Sequence, residues 1–188
     1  MYIGSRCQVD EFSSFIEFVN DSNKQRVQWR SDQRLSRNIV RILESDDYRG
    51  IGTTAIVLTF LKDLQKNYNP VTHSHLVAYL HKTCYKTCDA IFRDLKKLQN
   101  FPEFLELEQL FSEASSFLWQ KETFDRYDFQ SASIETYIQG IVRNKLLDII
   151  SRNLGDSGRR SIWGLLKEVS RIKINRALDI MEIPSPRN

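Results

Sequence analysis

Residues 107–152 read LEQLFSEASSFLWQKETFDRYDFQSASIETYIQGIVRNKLLDIISR. Two stretches with apolar residues at helical spacing flank the pair Phe124-Asp125. The charge changes sign across that pair. Residues 101–125 hold Glu103, Glu106, Glu108, Glu113, Glu122 and Asp125 against Lys121 alone. Residues 139–188 hold ten Lys and Arg against five Asp and Glu. An acidic helix followed by a basic one fits two partners, a basic protein surface and a polyanion.

The rest of the chain reads as helical too. Gly (7) and Pro (4) are sparse, and alternating β-branched runs are absent. Asp10 opens a first helix with Phe12, Phe15, Ile16 and Val19 on one face, ended by the polar run NDSNKQR. Ser31 caps a second, with Leu35, Ile39, Ile42 and Leu43 as its stripe. Gly50 and Gly52 mark a turn before the most apolar helix, residues 53–68. Asn69-Pro70 stops it, and Ser74 starts a long helix with Leu76, Leu80, Cys84, Ile91 and Leu95 in phase. Phe101-Pro102 ends that one. An acidic helix over 103–121, a loop over 122–131 and a basic helix over 132–152 follow. A basic loop, LGDSGRRS, leads to a last helix over 161–181. The fold class predicted is all-α, a multi-helix bundle. Residues 1–100 form an N-terminal helical region and 101–183 a second helical domain, the two packed as one unit.

Composition narrows the function classes. The chain has 188 residues, 41% hydrophobic and 27% charged, which suits a globular protein rather than a disordered one. The net charge of +3 places any nucleic-acid contact on local charge rather than the total. No apolar run nears the roughly 20 residues that span a bilayer, and MYIGSRCQVDEF lacks the apolar centre of a signal peptide. Three cysteines do not make a disulfide framework. A cytoplasmic protein without membrane contact is expected. P-loop, G-x-G-x-x-G, G-x-S-x-G and H-E-x-x-H signatures are absent, so no enzyme and no cofactor is expected.

Residues 107–125 resemble region 2 of the bacterial RNA polymerase sigma factor family. The primary-type pattern LDLIQEGNIGLMKAVDKFD aligns there without gaps, and Leu107, Glu108, Leu110, Leu118, Phe124 and Asp125 keep its type. The resemblance implies a sigma region-2-like helical core. It also implies docking of this helix on the β′ clamp of core RNA polymerase, through Leu107, Glu108, Leu110, Phe111 and Glu113. The family's Gln-Glu-Gly-Asn cluster is replaced here by Phe111, Ser112, Glu113 and Ala114. An acidic face that simply meets water is the alternative.

The following helix, ETYIQGIVRNKLLDIISR, is similar to the I-x-R-N-x-x-x-D-x-x-R pattern of small alternative sigma factors, with Ile141, Arg143, Asn144, Asp148 and Arg152 in those positions. In the family this helix faces the −10 promoter element. The resemblance implies DNA contacts from Arg143, Asn144, Lys145 and Arg152, from Arg159 and Arg160 beyond, and base stacking on the loop aromatics Tyr127 and Phe129. Tyr137 and Trp163 lie on apolar stripes and read as core. Gly140 and Ile141 stand where primary sigma factors carry two tryptophans, so the resemblance does not extend to melting by that wedge. Arg143 and Arg152 read equally as solvated charges, and Asp148 as a partner of Lys145 or Arg152.

Three more blocks, FSSFIEF…WRSDQRLSRNIVRILES, HLVAYLHKTCY and SIWGLLKEVSRIKINRAL, resemble in order the blocks of a group of cyanobacterial sigma-like proteins. Such proteins usually continue into a helix-turn-helix region 4. A region-2-only relative, or a piece of a longer chain, is expected here. The function implied is transcription initiation through core polymerase and −10 promoter DNA. The alternative is a sigma-fold adaptor, or an anti-sigma-like regulator, that binds protein partners without reading DNA.

His73, His75, His81, Cys84 and Cys88 lie within sixteen residues, and the last three share a helical face. That spacing admits a zinc site. Cys84 and Cys88 also extend the Leu76–Leu80 stripe, and as small hydrophobes they are expected in the core without metal.

Overall fold

A computed structural model describes residues 3–18, 27–97, 106–130, 132–150 and 152. The fold is mainly helical. Helix α1 (Ile3–Glu11) leads into strands β1 (Ser14–Phe18) and β2 (Val27–Ser31). Then come α2 (Gln33–Glu44), α3 (Thr53–Lys66), α4 (Pro70–Leu95) and α5 (Leu107–Ser115). A 3₁₀ turn at Ser116–Trp119 and the single-turn α6 (Glu122–Asp125) precede α7, residues 134–150.

Helix α4 is the axis of the molecule. Asn69 Oδ1 accepts from the amides of Val71 and Thr72 at 2.9 and 3.3 Å. Pro70 occupies the first turn, where its missing N–H is not needed. The dipeptide expected only to stop α3 therefore also starts α4, four residues before Ser74. Over 26 residues the helix runs about 39 Å. Its buried stripe includes Leu76, Leu80, Cys84, Cys88, Ile91 and Leu95, as the helical phase predicts. Around it pack β1, α2, α3, α5 and the 3₁₀ turn. One buried cluster runs from Phe12 to Ile150 and so takes side chains from both ends of the described chain.

The antiparallel ribbon corrects the all-α expectation. Phe12, Phe15 and Ile16 have helical spacing, yet α1 ends at Glu11 and Ser14–Phe18 is extended, pairing Ser14 with Ser31 and Ile16 with Trp29. Polar ties from elsewhere in the chain favour the extended form. The Asp32 amide donates to Ser13 O at 2.7 Å. The hydroxyls of Ser13, Ser31 and Ser36 close a three-membered ring, with sides of 3.0, 2.7 and 2.9 Å. Two histidines of α4 reach the same segment. His75 Nδ1 donates to Phe12 O at 2.8 Å, and His81 Nδ1 accepts from the Ile16 amide at 3.2 Å. These partners satisfy backbone groups that a helix would have satisfied within itself. Ser31, expected as the cap of α2, belongs to the ring. Asp32 caps instead, accepting from the Arg34 and Leu35 amides at 2.8 and 3.0 Å. Gly50 turns the chain between α2 and α3 with φ at +76°, a conformation open to glycine.

The acidic helix is shorter than its charge pattern. It tightens to 3₁₀ geometry after Ser115, where the Ser116 hydroxyl turns back to Glu113 O at 2.8 Å and competes with the helical ladder. Thr123 Oγ1 donates to the Phe117 carbonyl at 2.6 Å as the chain leaves the turn. The expected loop over 122–131 contains α6, whose Phe124 is 1% exposed and helps anchor the chain reversal. Ser133 starts α7, its Oγ accepting from the Thr136 amide at 3.2 Å. Ile134, Ile138, Val142, Leu146, Ile149 and Ile150 form the buried face of α7. The basic loop and the last helix expected after residue 152 lie outside the described residues, as does the break at Phe101-Pro102.

Candidate functional site

The two segments that carry the resemblance divide cleanly into inward and outward faces. On α5, Leu110 is 1% exposed and Phe111 4%. Phe111 sits edge-on to His81, Phe18 and Tyr85, with ring centroids 4.8, 5.6 and 5.7 Å away. The expectation that Leu110 and Phe111 present themselves to a partner is corrected: both belong to the core, because α4 and the ribbon cover them. Leu107 and Glu108 are half-buried, and Glu113 is exposed beside Gln109 and Ser112. Gln109 Nε2 donates to Glu113 Oε1 at 3.3 Å.

Tyr127 is likewise corrected from a stacking platform to a core residue. It is 5% exposed, its hydroxyl donates to Ala132 O at 2.7 Å, and Phe129 and Tyr137 flank its ring. Phe129 is half-buried, with Lys62 Nζ 5.9 Å from its ring centroid. Tyr137, read as core, is half-buried and donates to Thr123 O at 3.3 Å.

On α7, Asn144, Lys145 and Asp148 are exposed, as is the helical residue Arg152, and Arg143 is half-buried. Gly140 shares this outer face with open space around it. Arg152 extends from the α7 side to the acidic helix. Its Nε donates to Asp148 O at 3.3 Å, and its Nη2 lies 3.9 Å from a Glu113 carboxylate oxygen. Both side chains of that pair are largely exposed, so it contributes within about 0.5 kcal/mol. Its value is geometric: the acidic and basic faces adjoin. Arg159 and Arg160 lie outside the described residues.

The histidines and cysteines of α4 point apart rather than to one centre. Cys84 and Cys88 are buried free thiols, as the stripe predicts. Burial pushes the Cys84 thiol well above the ordinary range and Cys88 up to about 12, so neither ionises at neutral pH. His73 bonds Leu118 O at 3.0 Å through Nε2, while its Nδ1 meets the Tyr68 hydroxyl at 3.2 Å. His75 and His81 serve the ribbon segment. Desolvation lowers the pKa of all three imidazoles, that of His81 to about 4. The donation to Phe12 O leaves His75 Nε2 unprotonated, buried and without a partner. Among the described residues no group of three or more His, Cys, Asp or Glu is placed to hold a metal ion.

Two surface tryptophans escaped the sequence reading. Trp119 is 54% exposed at the end of the 3₁₀ turn, stacked on Phe15 with centroids 6.1 Å apart. Trp29 is 42% exposed on β2. The available signal was local: each tryptophan has polar neighbours, in QWR and in WQK. Among the described residues no helix is long and apolar enough to cross a membrane. No family model, curated protein or solved structure matches the chain.

Proposed function

We propose that this chain is a sigma-factor-like transcription initiation protein, bridging the β′ clamp of core RNA polymerase and −10 promoter DNA. The observation that carries the reading is the pairing of two open polar faces over one core. Glu108, Gln109, Ser112 and Glu113 lie on the acidic side, and Asn144, Lys145 and Arg152 on the other, joined where Arg152 approaches Glu113. The acidic face meets a basic clamp surface with Leu107 at its edge, while Leu110 and Phe111 support the helix from beneath. The α7 face meets DNA. Lys145, Arg152 and Arg143 approach phosphates, and Asn144 reads a base edge. Arg159 and Arg160 extend the same basic tract in sequence, and Phe129 offers a half-buried ring for stacking.

The test is a pull-down with core RNA polymerase, followed by binding of the assembled complex to single-stranded −10 libraries. Capture of polymerase that weakens at least tenfold in a Glu108→Lys, Glu113→Lys variant is the expected result. Asn144→Ala should narrow the gap between preferred and scrambled strands by about 1–3 kcal/mol, the range for a bidentate base contact. Absence of polymerase capture by the folded wild type overturns the reading. Polymerase capture with no sequence preference leaves the second reading, a sigma-fold adaptor or anti-sigma-like regulator that binds protein partners alone. The observation favouring that reading is the bare outer face at Gly140, which offers no side chain to separate base pairs.

A further inference from the structure

Strand β2 and helix α4 border an open groove of about 900 Å3. Trp29 stands half-exposed along it, with Tyr85 edge-on at 6.3 Å. Lys82 and Lys86, one helical turn apart, line the same side and are exposed. Lys82 Nζ lies 5.7 Å from the Trp29 ring centroid. Neither lysine makes an ion pair among the described residues, whereas Arg93 and Lys97 further along are paired with Asp89 and Asp94. The lining also includes Asp10 and Glu11, the latter accepting from Thr53 Oγ1 at 2.7 Å. Tyr79, also on the wall, donates to Glu135 Oε1 at 2.6 Å, which brings the groove up to the first turn of α7.

We propose that this groove binds single-stranded DNA leaving the α7 face. A base stacks on Trp29, and Lys82 and Lys86 hold the phosphates beside it. Exposed indole next to unpaired cations is the combination that captures single strands, because every base has a π-face and every nucleotide a phosphate. Asp10 and Glu11 repel a further phosphate and accept from the exocyclic amino group of a cytosine or adenine, so the footprint is one or two nucleotides. The choice of DNA as the strand rests on the function proposed above; the stacking chemistry does not. Trp119 is the more exposed tryptophan, yet its ring is stacked on Phe15 and the described lining of its groove carries one cation, Arg34, with Asp32, rather than two lysines.

The test uses the full chain, without polymerase, and fluorescence anisotropy of labelled 12-nucleotide single strands against the matching duplex. Single strands should bind more tightly than duplex. Trp29→Ala should weaken them about tenfold, and Trp29→Phe should keep most of the affinity. Lys82→Gln with Lys86→Gln should reduce the slope of log affinity against log salt by about 1.4, the loss of two single-strand phosphate contacts. Circular dichroism melts establish that each variant is folded, and Lys86→Gln alone, which should lower the slope by about 0.7, tests the groove away from the indole. Wild-type affinity and slope in folded variants would overturn the proposal. So would equal binding of duplex, or a Trp29 requirement seen only for a protein ligand. The same variants go through the polymerase pull-down. Groove-dependent strand binding without polymerase capture upholds the groove and removes the promoter function. Polymerase capture without groove dependence does the reverse.

Discussion

The ribbon and the α5–α7 region are held by different physics. The helices from α5 to α7 satisfy their backbone groups within themselves, and this region contributes large apolar side chains to the core, Leu118, Phe124, Ile138, Leu146 and Ile150 among them. Phe12, Ser13 and the strands β1 and β2 depend on polar partners, His75 and His81 far away in sequence and the serine ring nearer by. The first region should respond to volume changes and the second to changes in protonation and hydrogen bonding.

The largest expected effect lies in the first region. Ile138→Ala should cost about 2–5 kcal/mol, since a fully buried branched side chain leaves a cavity in a packed helix face. Denaturant midpoints at pH 7.5 and pH 5 check this, and the loss should be the same at both. A loss that shrinks at low pH would show that α7 and the histidine-held ribbon share one stabilising network.

Protonation addresses the second region. Unfolded His81 takes up a proton near its ordinary value of 6.5, while burial delays uptake in the folded chain to about 4. Stability is fully present above pH 6.5 and falls as the pH drops to about 4, by on the order of 2–3 kcal/mol from this residue. His73 and His75 shift in the same direction and for the same first cause, burial. His81→Gln should flatten part of the decline while keeping an acceptor for the Ile16 amide. A decline unchanged in that variant would place the titration elsewhere.

The smallest effect sharpens the boundary between ribbon and helices. Asp32→Ala removes the α2 cap and should cost about 1 kcal/mol. Amide exchange should speed up in the first turn of α2, at Arg34 and Leu35, and leave α7 unchanged. Equal acceleration in both would mean that the two regions open together.

These differences explain what was legible in the sequence. The α4 and α7 stripes were readable because a helix keeps its period whatever packs on it, and Leu76, Leu80, Cys84, Ile138 and Val142 are all buried in phase. The ribbon was not readable, because its apolar residues fall at helical spacing and the histidine partners that hold it extended lie more than 60 residues away. The same distance misled the reading of the site. Tyr127 sits between Arg126 and Asp128 in sequence, and only tertiary packing covers Phe111 with His81, Phe18 and Tyr85. Glu113, Asn144, Lys145 and Arg152 were legible as surface because charge and amide seldom enter a core without partners.

The serine ring has a consequence for how the ribbon finds its alignment. Slipping β1 past β2 by one residue would turn Ile16 outward, and apolar burial alone forbids it. A slip of two residues keeps every side chain on its proper face, so burial discriminates poorly against it. It would, however, part Ser13 from Ser31 and Ser36 and break two sides of the ring. The ring thus acts as a vernier, rejecting the near-correct alignments that hydrophobic patterning tolerates.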